Sequence, residues 1–394
     1  MTPSARLQAA IEIVEALQTS RLPADRMLRE FFRARRYAGS KDRAAVAEWV
    51  FDVFRHRGAY EWRMGATDAR ALAIAALLAQ GADPAALFTG GYGPAPLTER
   101  ERAAIATPPA GEPPLWVRGE YPQFLEAELK RTFGERLLAE MLALQARAPV
   151  DLRVNTLKAS REDVLAALRS EGYDASPTRH SHFAIRLPSG TKSLDRTGLF
   201  ESGAFEFQDE AAQVAVMLAD AKPGMAVLDI AAGAGGKALA LAAAMENRGE
   251  IVVDDIDEGR LRQIAPRAAR AGVTIIRAAP PDGRLFDRAF VDAPCSGTGT
   301  WRRQPENRWR LTPARLAELM ATQDALLARA ARHVRPGGLL VYATCSVLPC
   351  ENDDRIAAFV AANSAFAIRG DAFRASPHST GTDGFFAAVL TRAA

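Results

Sequence analysis

The chain has 394 residues, of which 48% are apolar and 25% charged, and its formal net charge is +3. That length fits two or three domains with ordinary buried cores, and the composition excludes collagen-like, disordered and disulfide-scaffold architectures. Three cysteines, an odd and small number, point to a reducing cytosol rather than a disulfide framework.

The first residues carry no basic-then-apolar leader; Ile11, Val14 and Leu17 interleave with Glu12 and Glu15 as on a surface helix. The longest apolar run, Ala71 to Ala79, falls far short of the roughly 20 residues that span a bilayer, so no membrane role is expected. From Ser4 to about Ala106 the pattern is helical and predicts a bundle of about five helices. Ser40 precedes a helix through Arg57 on which Val46, Val50, Val53 and Phe54 recur at helical spacing, and Thr67 caps an Ala-rich helix ending at Ala79. The Pro-rich stretch Thr107 to Pro114 reads as a linker. A helical stretch from Pro122 to Ala146, a strand over Pro149 to Val154 and a capped helix over Ser160 to Gly172 follow. The domain boundaries expected from this pattern are 1–140 (helical), 141–207 (a small α/β subdomain) and 208–394.

Beyond Gln208 strands and helices alternate. Runs rich in Val, Ile and Leu at Ala226–Ile230, Ile251–Asp254, Val273–Ala278, Phe286–Val291 and Leu339–Ala343 are separated by helical segments at Lys237–Met245, Glu258–Ala271 and Pro313–His333. That alternation predicts a doubly wound, mostly parallel sheet. Phe366–Ile368 and Phe385–Leu390 read as a closing antiparallel hairpin.

Ligands of such sheets bind at the carboxyl ends of the strands. The first of these strands runs into Asp229-Ile-Ala-Ala-Gly-Ala-Gly-Gly-Lys237, whose glycines let backbone N–H groups approach a ligand at a helix N-terminus. Its spacing is not that of the dinucleotide fingerprint, and a tight strand-to-helix turn is the plain alternative, with the lesser share of the weight when the loop is taken alone. The second strand ends in Asp254-Asp255-Ile-Asp257; by register Asp255 is the acid placed for the two hydroxyls of a ribose, with Asp254 and Asp257 as turn residues. A nucleoside without phosphates, such as S-adenosylmethionine, suits this pair of features. The fourth strand ends in Asp292-Ala-Pro-Cys295 and the fifth in Tyr342-Ala-Thr-Cys345. A free cysteine is usually a small buried hydrophobe, but two at matching strand ends beside a cofactor loop read as chemistry. The five histidines are scattered and no zinc site is expected. Cys350 reads as incidental.

These residues resemble the RNA cytosine-5 methyltransferases, and within them the bacterial Sun/Fmu branch that acts on 16S ribosomal RNA. Arg153-Val-Asn-Thr-Leu-Lys158 resembles the family's entry motif and Phe207-Gln-Asp-Glu-Ala-Ala-Gln213 the segment leading into the catalytic domain. Asp292-Ala-Pro-Cys295 with Gly297-Thr-Gly-Thr300, Arg302, Arg303 and Pro305 is highly specific, as is Ala343-Thr-Cys345-Ser with Glu351-Asn352. Thr382-Asp-Gly-Phe-Phe386 fits the closing strand, and the N-terminal bundle resembles an antitermination-factor-like domain. The resemblance implies a Rossmann-like class I methyltransferase with a seven-stranded sheet, S-adenosylmethionine as cofactor and Cys345 as nucleophile. It further implies Cys295 as the residue that helps resolve the adduct and Asp292 as the group holding the cytosine edge. Cofactor contacts carry over to Ala231, Ala232, Gly233, Ala234, Gly235, Gly236, Lys237, Asp255 and Asp292, with Asp282 standing where an adenine-recognising acid is expected. The loop departs from the family's Cys-Ala-Ala-Pro-Gly-Gly-Lys at Ala231, Gly233 and Ala234.

Candidate RNA contacts are Arg153, Asn155, Arg302, Arg303 and Arg310. Met1 to Tyr60 also holds eleven Lys/Arg against seven Asp/Glu, with Phe31-Phe-Arg-Ala-Arg-Arg36 and Arg55-His-Arg57 giving a basic side that a solvated helix face explains equally well. The expected protein is a cytoplasmic monomer whose partner is RNA, namely 16S rRNA, with no metal. Three alternatives stand beside it: a transfer-RNA cytosine-5 methyltransferase, a non-catalytic RNA-binding assembly factor and a DNA cytosine methyltransferase.

Overall fold

The computed structural model describes all residues from Met1 to Ala394. The chain divides into two compact units, Met1–Ala146 with Trp301–Leu311, and Arg147–Thr300 with Thr312–Ala394. No helix is long and apolar enough to cross a membrane.

Six α-helices, not five, occupy the first unit up to Ala106: Pro3–Thr19, Ala24–Arg33, Ser40–Arg55, Arg57–Met64, Ala69–Ala79 and Glu99–Ala106. The helix expected to run to Arg57 breaks at His56. Asp68, not Thr67, caps the Ala-rich helix by accepting from Ala71 N, and this helix is buried along most of its length. Ile13, Leu17, Val46, Val50, Phe54, Leu72 and Ile74 form the centre of the core.

The segment Trp301–Leu311 belongs to this unit although it follows the Cys295 loop in sequence. The Trp309 indole N–H donates to Phe54 O (2.8 Å), Arg310 donates to Leu22 O (2.9 Å), and Glu306 accepts from Ala24 N (3.0 Å). Arg308 lies fully buried with its guanidinium over the Trp301 ring. A boundary at 208 therefore misses a segment that returns to the helical unit.

The second unit contains two sheets. The small one is built from β1 (Val150–Val154), β2 (Ser176–Pro177), β3 (Ala184–Leu187) and β4 (Phe205–Phe207) in the antiparallel order β2-β3-β1-β4. Helix Arg161–Ser170 accompanies it, started by a capping box between Ser160 and Asp163.

The large sheet contains β5 (Ala226–Ile230), β6 (Glu250–Asp254), β7 (Ile276–Ala278), β8 (Phe286–Asp292), β9 (Val334–Thr344), β10 (Phe366–Ile368), β11 (Phe373–Ala375) and β12 (Phe385–Arg392). Its order is β10-β12-β9-β8-β5-β6-β7, with β11 also on β12. Strands β5 to β9 are parallel, while β12 runs antiparallel to β9 and to β10 and β11. The expected antiparallel pair is present, with Phe366–Ile368 as β10, and the turn-rich stretch between its strands contributes a further short strand, β11. The expected strand over Val273–Ala278 shrinks to the three residues of β7. The expected helix Glu258–Ala271 is broken into Glu258–Leu261 and Ile264–Ala271. Pro266 accounts for the break, since its ring clashes with the carbonyl four residues back and it offers no N–H.

Alternate residues of the buried strands face two separate cores, Val227, Val253, Phe290 and Val341 toward one helix layer and Leu228, Val252, Val291 and Tyr342 toward the other. Gln208 to Gln213 joins the two sheets: Asp209 accepts from Asp383 N (3.1 Å), Glu210 from Ser181 N (2.9 Å), and Gln213 donates to Leu152 O (3.3 Å). Asn155, buried, donates to Gly203 O (2.9 Å) and Ala271 O (2.8 Å). Replacing Asn155 by Ala would leave two buried carbonyls without donors, so we expect a loss of about 2 kcal/mol in urea unfolding.

Candidate active site

Strand β5 has β6 and β7 on one side and β8 and β9 on the other, so the strand order reverses between β5 and β8, where open α/β sheets take their ligands. The loop after β5 uses left-handed backbone three times, at Ala231 (φ 63°), Gly233 (φ 56°) and Gly235 (φ 78°). A glycine adopts this conformation without penalty; Ala231 does so against the clash of its Cβ. The loop is tied to the end of β6: Ala232 N donates to Asp254 O (3.1 Å) and Gly233 N to the Asp255 carboxylate (2.7 Å). The other Asp255 oxygen accepts from Asp257 N (2.8 Å), and Asp254 pairs with Arg329. Helix Gly236–Ala244 starts directly from this loop.

Beneath the loop sits Asp229, completely buried, with neither carboxyl oxygen hydrogen-bonded. Burial, together with the negative charges of Asp292 and Asp255, raises its pKa to about 8 despite the nearby Lys237 ammonium. Lys237 Nζ lies 2.5 Å from Asp292 Oδ2. Burial by itself would loosen the Lys237 proton, but the Asp292 charge and hydrogen bond outweigh it, with help from Cys345 and Asp229, and the net shift is upward.

Asp292 ends β8 in register with Ala343 of β9. The two thiols follow at once: Cys295 Sγ lies 3.4 Å from Cys345 Sγ, and both residues are half-buried. The hydrogen bond to Cys345, burial and the charges of Cys345 and Glu351 push the Cys295 thiol well above its usual range. Gly299 N donates to Cys345 O (2.9 Å) and Gly384 N to Gly299 O (2.8 Å). A Cβ on Gly299 would sit 2.0 Å from Gly384 O, so only glycine permits this approach. The site therefore combines a backbone cradle, an orphaned acid, a lysine–carboxylate pair and two touching thiols.

Comparison with known proteins places the chain in a family. Residues 215–391 match the family described as 16S rRNA methyltransferase RsmB/F, and residues 121–193 match its ferredoxin-like domain. The chain is 31% identical over 298 residues to the "Probable ribosomal RNA small subunit methyltransferase B" of Synechocystis, covering 69% of this chain and 67% of that one. It belongs to the RsmB/F methyltransferase family. The corresponding proteins of Bacillus subtilis (32% identical, 68% of this chain, 65% of that one) and Pectobacterium carotovorum (34%, 69% and 66%) are also similar, so the chain spans about two thirds of these relatives' length. Among solved structures, PH0851 superposes with a TM-score of 0.81 at 25% identity over 99% of both chains. A methyltransferase homologue from Pyrococcus horikoshii gives 0.63 at 28% identity, over 71% of this chain and 97% of that one. The fold is that of the class I S-adenosylmethionine-dependent methyltransferases.

Cys295, Cys345, Asp292, Lys237, the loop from Ala231 to Gly236 and Asp255 are brought to the C-terminal ends of β5, β6, β8 and β9. Asp282 is exposed in a left-handed turn (φ 46°) after the short edge strand β7. The candidate RNA contacts need correction. Arg153, Asn155 and Arg302 are buried; Asn155 is spent on backbone carbonyls and Arg310 on Leu17 O and Leu22 O. Of the five, Arg303 alone is exposed. Two residues of the centre went unassigned in the sequence, Asp229 and Glu351. An acid in the middle of the fully apolar run Ala226–Ile230 was the available signal for the first.

The raised pKa of Asp229 has a definite sign. Between about pH 4 and 8 the folded protein keeps a proton that the unfolded chain releases, so this group erodes stability as pH rises through that window. Asp229→Asn removes the erosion. Its stability advantage over the parent, measured without ligand by chemical denaturation, should be larger at pH 8.5 than at pH 6.

Proposed function

We propose that the protein methylates C5 of a cytosine in 16S ribosomal RNA, using S-adenosylmethionine. The observation that carries this reading is the 3.4 Å contact of two thiols at the ends of neighbouring strands, beside Asp292 and the glycine loop. Cytosine C5 is too weak a nucleophile to take a methyl group unaided, and a thiolate adding at C6 makes it enamine-like.

The residues fit the cofactor. The orphaned Asp229 carboxyl is a partner in waiting for a cationic group, the left-handed loop leaves backbone N–H groups beside it, and Asp255 retains lone pairs for ribose hydroxyls. When bound, S-adenosylmethionine supplies an electrophilic methyl sulfonium. Cys345 is the nucleophile: its thiolate forms a bond to C6 and drives the ring electrons toward C5 and N3. Asp292, fixed by Lys237, holds the base edge and stabilises the charge that develops there. Once C5 carries the methyl group, loss of its proton to a base restores the double bond and expels the Cys345 thiolate. Cys295, whose thiol resists ionisation in the resting pair, is the residue on which this release depends.

The hydrogen bond to Cys345 and burial, with the Glu351 charge behind them, keep the Cys295 thiol protonated. A thiol held protonated is a poor nucleophile, which supports Cys345 as the attacking group. It also weighs against a DNA-type enzyme, whose nucleophile comes from the Pro-Cys loop. A non-catalytic assembly factor would have no need for touching thiols beside a paired lysine and carboxylate.

Bisulfite sequencing of 16S rRNA from a deletion strain should lose one 5-methylcytosine signal. Cys345→Ala should abolish both methylation and the covalent protein–RNA complex. Cys295→Ala should accumulate that complex, visible as a band of reduced mobility in denaturing gels. Swapped outcomes would reverse the two roles.

A further inference from the structure

Each cysteine of the pair is followed by a serine, and both serines turn to one carboxylate. Ser296 Oγ and Ser346 Oγ each donate to Glu351 Oε2 at 2.5 Å, and Ser296 N donates to Oε1 at 2.8 Å. Glu351 is completely buried. Its backbone is pinned by the Tyr342 hydroxyl, which donates to Glu351 O (2.7 Å). From helix Pro313–Ala331, Gln323 donates to Oε1 (3.0 Å) and also to Pro294 O (3.0 Å), the residue before Cys295. Neighbouring Asn352 clamps only one of the loops, through Ser346 O (2.9 Å) and Thr344 Oγ1 (2.5 Å).

A buried carboxylate accepting four hydrogen bonds from two catalytic loops and a helix is costly to assemble, and a purely structural link between two loops needs no charge. We propose that Glu351 is a positioning residue of the two-thiol centre. Its carboxylate fixes the loops one residue beyond each sulfur, thereby setting the sulfur–sulfur contact on which Cys295's part in release depends. This inference rests on the roles given above to Cys345 and Cys295. The charged and titratable groups facing Cys295 are Cys345, Glu351 and Tyr342, with Arg355 and Asp324 behind Tyr342; Cys345 in turn faces Lys237, which is paired with Asp292.

Two measurements on the full chain test it. In a Cys345→Ala background without RNA, alkylation of Cys295 by iodoacetamide is followed across pH by peptide mass mapping. Adding Glu351→Gln should lower the alkylation midpoint by about one pH unit, because a like charge has been removed. In the background with both cysteines, Glu351→Gln should cut turnover on 16S rRNA roughly 100-fold, the scale of a small misplacement of reacting groups. The covalent complex should accumulate, with S-adenosylmethionine affinity unchanged within about twofold. An unmoved alkylation midpoint, or a variant that is merely less stable with normal turnover, overturns the proposal. Should Glu351→Gln not fold, the Ser296→Ala/Ser346→Ala double variant takes its place: accumulation of the complex supports the proposal and normal turnover overturns it. Absence of any methylation by the parent protein would count against the proposed reaction, whereas the alkylation shift would still establish the carboxylate's hold on Cys295.

Discussion

The centre of this protein depends on the pairing of two parallel strands. β8 and β9 run side by side, with Phe290 opposite Val341 and Asp292 opposite Ala343, and the ladder continues past the strands through Ala293 N to Ala343 O (2.9 Å). Because both strands point the same way, their carboxyl ends arrive together, and residues 50 positions apart in sequence meet at the same height. A slip of one residue would reverse the face of every side chain on the strand. The two apolar cores that sandwich the sheet forbid such a slip, since alternating residues on both strands are already committed to opposite layers. Hydrophobic packing away from the site thus sets the distance between two sulfur atoms.

Around that contact the protein keeps charged groups buried. Asp229 and Glu351 are completely buried and Lys237 nearly so, while Asp292, at the mouth of the site, is about one third exposed. Such groups are expensive for the folded state and strong in their effect on one another. The fully paired ones hold loops in place. The unpaired one, Asp229, marks where a cationic partner can be received.

The helical unit carries a separate lesson. Trp301–Leu311 leaves the Cys295 loop and becomes part of the bundle, held by side-chain bonds to carbonyls at Leu17, Leu22, Phe54 and Leu144. Arginine is well suited to such work, because its planar fork can satisfy several backbone carbonyls at once. Arg310 acts in this way and Arg308 reaches Leu144 O, so the density of arginine near the catalytic loop reflects internal architecture as well as any attraction for nucleic acid.

The sequence by itself determined whatever rests on local rules. Ala226–Ile230 could be read as a strand to the residue, Ser160 as a cap, and the glycine loop as a tight approach at a helix start, because periodicity, capping and glycine backbone freedom act over a few residues. It likewise marked Asp292, Cys295 and Cys345, since rare residue types at strand ends stand out without knowledge of their neighbours. The break at Pro266 was legible in principle and was outweighed by the apolar pattern around it. Tertiary structure alone decided the rest: that Arg153, Asn155 and Arg310 face inward, that residues 301–311 rejoin the helices, and that Ser296, Ser346 and Gln323 share the Glu351 carboxylate. Burial and hydrogen-bond partnership are properties of distant segments brought together, and no pattern within a short window records which carbonyl, or which carboxylate, a side chain will meet.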